Sequence, residues 1–146
     1  MNVMERVLRE KIDKHLTVEN VSSIASKALG KEVKAGEPEV LTGGCWNRVI
    51  GVRFDTGEDL VFKINPEAEN ASIEREYHVL KYFADNTGMP VPEPYLIDSE
   101  ANLIPGTVLV MKRLPGAVMH HVFSSLSGMQ RDSITDEISH YVCELH

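Results

Sequence analysis

The fold of this chain is decided by the stretch Leu60-Val61-Phe62-Lys63-Ile64, an apolar run with one charged residue inside it. Branched and aromatic side chains in such a run favour a β-strand. Lysine is seldom fully buried without a partner. Lys63 therefore either lies on an edge strand with its amine in solvent or pairs with an acid from another element.

A predicted helix downstream supplies that acid. Ile73, Leu80 and Phe83 mark the apolar face of a helix that we expect from about residue 70 to residue 86. Glu76 lies three residues after Ile73 and four before Leu80, so it shares this face. The spacing predicts an ion pair between Lys63 and Glu76, which is either structural or part of a phosphate-binding site.

A glycine-rich turn precedes these elements, between predicted strands at residues 39–42 and 48–54. It consists of Gly43, Gly44, Cys45, Trp46 and Asn47. Glycines allow the backbone to approach a ligand closely and to point its N–H groups inward, which suits phosphate oxygens. The same residues also suit an ordinary hairpin turn, and the turn by itself leaves both interpretations open.

The remaining elements complete an α+β pattern. We predict two N-terminal helices, the second beginning after Thr17 and ending at Gly30. A strand at 59–64 follows the turn at 55–58, and further strands are predicted at 95–98 and 107–112, with a tail helix at 133–146. Short connections imply an antiparallel five-stranded sheet with one helix inserted between its third and fourth strands.

Composition excludes several classes of protein. The net charge of -7 and the pI near 5.3 argue against a nucleic-acid partner. No apolar run approaches the roughly 20 residues that cross a bilayer, and the charged N-terminus does not resemble a signal peptide. Two cysteines form no disulfide framework, so we expect a cytoplasmic protein. The histidines have no metal-ligand spacing, and no metal site is assigned.

The order of these segments resembles the N-terminal half of the aminoglycoside phosphotransferase and choline kinase-like family, which has a protein-kinase-like fold. The resemblance covers about residues 39 to 116, and extends less closely through the tail to 146. It is carried by Leu41-Thr42-Gly43-Gly44-Cys45-Trp46-Asn47-Arg48-Val49, Leu60-Val61-Phe62-Lys63, Arg75-Glu76, Pro90-Val91-Pro92-Glu93-Pro94 and Leu109-Val110-Met111-Lys112-Arg113-Leu114-Pro115-Gly116.

The resemblance implies ATP binding and a role for each matching residue. Lys63 would hold the α- and β-phosphates, and Glu76 would orient it. The turn from Gly43 to Asn47 would cover the phosphates. Val49 and Val61 would roof the base and Met111 would flank it, while the Lys112 carbonyl and the Leu114 amide would bind its edge.

The resemblance also implies a division of the chain. Residues 1–30 would be N-terminal helices, 31–116 the nucleotide-binding lobe with a hinge at 111–116, and 117–146 the start of a truncated helical lobe. The family's His-x-Asp catalytic loop does not occur in these 146 residues. We therefore expect the catalytic base, the Mg²⁺ ligands and most of the acceptor site in a missing C-terminal half, and this chain alone to be inactive.

Three functions remain open on the sequence. The first is that the chain is part of an enzyme that phosphorylates a hydroxyl of a small molecule, such as an aminoglycoside or a choline-like metabolite. Alternatively it is a non-catalytic nucleotide-binding or protein-interaction module, or an α+β domain in which Lys63 and Glu76 are merely structural. If a lobe is missing, the surface formed by residues 110–114 and the last helix should be apolar and uncovered, which favours self-association.

Overall fold

The computed structural model describes residues 3–41, 46–67 and 71–145. Its elements follow in the order α1 (Val3–Asp13), α2 (Val18–Leu29), β1 (Glu39–Val40), β2 (Arg48–Arg53), β3 (Asp59–Asn65), α3 (Ala71–Asn86), β4 (Pro94–Asp98), β5 (Thr107–Lys112), α4 (Met119–Val122), a 3₁₀ turn (Phe123–Ser125) and α5 (Gly128–Glu144).

The sheet has the predicted five antiparallel strands, in the order β1-β2-β3-β5-β4. The inserted helix α3 lies between the third and fourth strands in sequence and packs against β4 and β5. The α+β fold class of a kinase-like N-terminal lobe is confirmed. Strand β1 is shorter than predicted, since it ends at Val40, and Thr42 lies outside the described residues.

Helix α2 has the ends that the sequence predicts. The Thr17 hydroxyl accepts a hydrogen bond from the Asn20 N–H at 3.2 Å, which satisfies one of the free donors of the first turn. Gly30 ends the helix in the left-handed region, with φ of 66°, where glycine has no Cβ penalty. These caps fix the length of α2 at three turns.

The core lies between the N-terminal helices and one face of the sheet. Alternate strand residues, which include Ile50, Phe62 and Val110, are fully buried in one cluster with Ile24 of α2 and Ile12 of α1. Because successive side chains of a strand point to opposite faces, the residues between them face the other way. The opposite face of the sheet is therefore left for α3 and for the candidate site.

The C-terminal part of the chain differs in detail from its prediction. Helix α5 begins at Gly128, five residues before the predicted start at Ser133, and the short helix α4 and the 3₁₀ turn were not predicted. Among the described residues, α4 and α5 contain no buried side chain. Val110 is fully buried, so the expectation that it would be uncovered is wrong.

Candidate functional site

Strand register places four of the predicted site residues on one face of the sheet. Val49 of β2 lies opposite Lys63 of β3. Gly51 lies opposite Val61, and Val61 in turn lies opposite Met111 of β5. These positions alternate with the core residues, so they face away from α1 and α2. The sheet thus presents two adjacent rows: one with Val49 and Lys63, the other with Val61 and Met111.

Helix α3 brings the acid to the lysine. Ile73 is 1% exposed and anchors the first turn of the helix on the sheet. Glu76 follows one turn later on the same side, and its Oε2 accepts a hydrogen bond from Lys63 Nζ at 2.5 Å. The two side chains are 23% and 33% exposed. A half-buried ammonium is thus held at the sheet surface by one carboxylate, with room for further acceptors.

The glycine turn is described only at its C-terminal end. Gly43, Gly44 and Cys45 lie outside the described residues, and Trp46 has 69% of its surface exposed. The side-chain oxygen of Asn47, Oδ1, accepts a hydrogen bond from Asn65 Nδ2 at 2.9 Å. Asn65 Oδ1 in turn accepts one from the Glu67 backbone N–H. This contact fastens the end of the turn to the end of β3.

A second contact fastens the same region to α1. Arg48, the first residue of β2, donates a hydrogen bond from Nη2 to Asp13 Oδ2 at 3.0 Å. Its side chain is 20% exposed, which makes this one of the more buried ion pairs among the described residues. The Asn47 and Arg48 contacts therefore hold the chain from two sides where it enters β2.

The residues after β5 leave the sheet with a defined backbone pattern. The Lys112 N–H donates to the Glu93 carbonyl at 2.8 Å, and the Arg113 N–H donates to the Asp59 carbonyl at 2.9 Å. Within the described residues, the Leu114 N–H forms no hydrogen bond. The Lys112 side chain is exposed. The chain is therefore held up to Arg113 by β3 and by the residue before β4, and the next backbone donor, that of Leu114, has no partner among the described residues.

The sequence predictions and the structure can now be compared at the site. Strand register and helix α3 bring five of the predicted site residues together: Lys63, Glu76, Val49, Val61 and Met111. The hinge residues Lys112 and Leu114 follow directly in the chain. Sequence reasoning missed the polar anchors Asn65, Asp13 and Glu39, because each of them contacts its partner across a distance in sequence that no local pattern encodes.

Metal ligands are not grouped in the described part of the chain. No set of three or more His, Cys, Asp or Glu side chains there is arranged to hold a metal ion. Glu76, the one carboxylate that contacts Lys63, is engaged by that lysine. Lys63 is thus a cation of this face that could contact a phosphate, and no metal ligand is assigned among the described residues.

The comparison with protein families agrees with this arrangement. The sequence matches the phosphotransferase enzyme family over residues 38–146. The chain belongs to this family. The match begins just before β1 and includes the whole sheet, α3 and the described C-terminal helices. A comparison with curated proteins found no match.

Family membership confirms the resemblance drawn from the sequence, and the match reaches the tail that the resemblance covered least closely. The family transfers phosphoryl groups, so the ion pair and the apolar rows of the sheet belong to a phosphotransferase fold.

Helices α1 and α2 precede the matched region. None of the helices in residues 3–41, 46–67 and 71–145 combines the length and the apolar character that crossing a lipid bilayer requires.

Proposed function

We propose that this chain provides the ATP-binding lobe of a phosphotransferase that phosphorylates a hydroxyl group of a small molecule. The observation that carries the proposal is the Lys63–Glu76 ion pair, at 2.5 Å, on the sheet face that also bears Val49, Val61 and Met111. The division of the chain at the hinge, residues 111–116, is part of the proposal. No His-x-Asp sequence occurs in the 146 residues, so no catalytic base is assigned.

The two rows on the sheet face differ in chemistry, and this difference supports the orientation of the nucleotide. The row of Val61 and Met111 is apolar and lies nearer to the hinge, which suits a base. The row of Val49 and Lys63 lies nearer to the glycine turn; its cation, Lys63, suits phosphates, while Val49 would roof the base together with Val61. Catalysis of phosphoryl transfer is largely positioning and charge neutralisation, and Lys63 would provide one such charge.

The role of Glu76 in this proposal is to hold the lysine. An ammonium group on a four-carbon side chain loses considerable rotamer freedom when a phosphate fixes it. Because Glu76 already holds Nζ at the sheet surface in the free protein, less conformational entropy of the lysine remains to be lost when a phosphate binds. The glutamate would thus increase nucleotide affinity without touching the nucleotide.

The proposal can be tested with the single tryptophan of the chain. Trp46 is exposed and belongs to the glycine turn, so its fluorescence should report on a ligand that binds beside the turn. We expect MgATP to change this fluorescence saturably. Lys63→Met should weaken binding about tenfold to a hundredfold, since a charge-assisted contact with phosphate contributes roughly 1.5–3 kcal/mol.

Lys81→Met is the matched control. Lys81 also forms an ion pair, with Asp85 at 3.2 Å, but it lies on the exposed side of α3 with its side chain 51% exposed. The Lys81→Met variant should bind MgATP with the affinity of the wild type. Equal affinities of wild type and Lys63→Met for MgATP would refute the role of Lys63. Nucleotide binding itself would be refuted if MgATP changed neither the Trp46 fluorescence nor the heat measured by calorimetry.

A further inference from the structure

Arg113 occupies an unusual position just beyond β5. Its backbone N–H extends the ladder to β3, since it donates to the Asp59 carbonyl at 2.9 Å. Its side chain turns back across the sheet and reaches β1, where Nη1 donates to Glu39 Oε2 at 3.0 Å. The same Nη1 lies 3.7 Å from Asp59 Oδ1, and the side chain is 31% exposed. One arginine therefore joins the hinge to two other strands.

Gly51 makes room for this side chain. A Cβ at position 51 would lie 2.8 Å from Nη1 and 3.2 Å from Cζ of Arg113, both too close for normal contact. The backbone of Gly51 is not in the left-handed region, so any residue could adopt its conformation. What position 51 requires is space, because the guanidinium lies directly beneath it on the face that carries Val61 and Met111.

Charge also accounts for the position of the guanidinium. Asp59 Oδ1 is buried and accepts no hydrogen bond from the described residues. A buried carboxylate oxygen in this state needs a nearby cation, and Arg113 supplies it. The other oxygen, Oδ2, contacts Arg53, whose side chain is 79% exposed. Arg113 thus compensates two carboxylates at once, one from β1 and one from β3.

The arginine borders a cavity beside the hinge. This cavity has a volume of about 510 Å³, and its lining includes Glu39, Asp59, Arg113 and the hinge residues 114–116. The Leu114 N–H, which is free within the described residues, belongs to this lining segment. The position of that donor depends on how firmly residue 113 is held.

We infer that Arg113 is a positioning residue for the nucleotide: through Glu39 and Asp59 it locks the hinge against the sheet, so that the base meets a preformed edge at Lys112 and Leu114. This inference rests on the proposed nucleotide site. It assigns Arg113 no contact with the phosphates, which lie in the other row. Loss of the arginine therefore weakens recognition of the base and leaves recognition of the phosphates unchanged.

The test compares two ligands in Trp46 fluorescence titrations: MgATP, and magnesium tripolyphosphate, which has the phosphates and no base. Arg113→Met keeps an unbranched apolar stem and removes the guanidinium with its charge. We expect it to bind MgATP about threefold to tenfold more weakly than the wild type, and tripolyphosphate with the same affinity. Arg113→Lys keeps the charge and loses the planar guanidinium, so its affinity for MgATP should lie between those of the wild type and Arg113→Met.

Two further variants separate positioning from a general loss of stability. Lys81→Met removes an exposed cation of α3 that pairs with Asp85 and does not line this cavity, and it should bind both ligands as the wild type does. Gly51→Ala places a Cβ where the guanidinium lies, so it should weaken MgATP binding in the wild-type chain and have no added effect in Arg113→Met. Thermal unfolding of each variant then measures whether its fold is as stable as that of the wild type.

The outcomes are distinct. If Arg113→Met weakens both ligands equally, or binds MgATP as the wild type does, the inference is overturned while the proposed nucleotide site stands. If additive losses appear in the Gly51→Ala and Arg113→Met double variant, the two residues do not act through one contact and the inference is again overturned. If the wild-type chain binds neither ligand, the proposed function itself fails.

Discussion

At residue 106 the backbone adopts a φ of 105°, which side chains with a Cβ rarely allow. Gly106 is buried and directly precedes β5, beside the end of β3. A Cβ there would lie 2.0 Å from the Asn65 carbonyl oxygen and 3.0 Å from Pro66 Cα. Both neighbours are backbone atoms and cannot rotate away. Gly106 thus lets β5 approach the residue that fastens Asn47 and the glycine turn.

We predict that Gly106→Ala lowers the free energy of unfolding by about 3 kcal/mol or more, since it combines backbone strain with overlap against fixed atoms. Gly57→Ala is the control. Gly57 also has a positive φ, 96°, but a Cβ there would meet no atom within 4 Å, so the loss should be about 1–2 kcal/mol. Denaturant unfolding measures both values, and equal losses would contradict the overlap argument.

Residues that act locally could be predicted, and residues that act across the fold could not. The Lys63–Glu76 pair follows from a charged residue in an apolar strand and an acid on a helix face, and the family resemblance gives it a role. Arg113 and Glu39 are 74 residues apart, and no periodicity links them. The vacant space at Gly51 is likewise visible only when β2 and the hinge lie side by side.

At the scale of elements, predictability depends on whether a local signal marks each end. Helix α2 has a threonine cap and a terminal glycine, and β5 is a buried run closed by Pro115-Gly116, so both were predicted with their correct bounds. Helix α5 begins with a capping box, in which Ser127 and Gln130 bind each other's backbone. That signal is present in the sequence, and the predicted start at Ser133 is too late because the apolar face of the helix becomes regular only from Ile134.

Helix α4 could not have been found in this way. It has four residues, its cap position is Val118, and no side chain there binds the first turn. Isolated helices of this length are unstable without tertiary contacts, and propensity carries no information about them. The shortening of β1 has a similar cause, because a two-residue strand is defined by its pairing with Gly51 and Ile50 and by no pattern of its own.

Helix α2 also yields a prediction about the core. It precedes the region matched by the family, yet Val21, Ile24 and Ala25 are buried in the same cluster as the central strands. Ile24→Ala should lower the free energy of unfolding by about 2–5 kcal/mol, because it leaves a cavity against the sheet. The N-terminal helices are accordingly part of the same cooperative unit as the sheet.

Ile138→Ala is the matched control, since Ile138 is a helical isoleucine that is 54% exposed on α5. Its loss should change the free energy of unfolding by no more than about 0.5 kcal/mol. Urea unfolding followed by circular dichroism measures both variants. A similar, small effect at both positions would mean that α2 does not share the core with the sheet, and would limit the folded unit to the family-matched residues.

At the scale of the whole molecule, apolar side chains are distributed unevenly over the surface. The C-terminal helical segment, residues 117–145, exposes Val118 at 62%, Phe123 at 50% and Met129 at 84% of their surfaces. Ile138 and Val142 lie one turn apart on α5 and are also about half exposed. The prediction of an uncovered apolar surface therefore applies to this segment, and was wrong for Val110.

This surface should make the 146-residue chain associate with itself, because exposed apolar area is the main driving force for non-obligate contacts of this kind. The net charge of -7 opposes association at low salt. We therefore expect sedimentation velocity to show association that increases both with protein concentration and with added salt, since salt screens the repulsion and leaves the apolar contact.

Val142→Glu tests the surface itself. It places a charge in the last turn of α5, one turn after the exposed Ile138, and we expect it to shift the chain toward monomer at every concentration. Val79→Glu adds the same charge at a residue of α3 that is equally exposed, at 50%, and lies outside the C-terminal segment. If both variants reduce association equally, added charge alone explains the effect. If the wild type is monomeric throughout, the segment does not drive association, and its exposed residues are solvated singly.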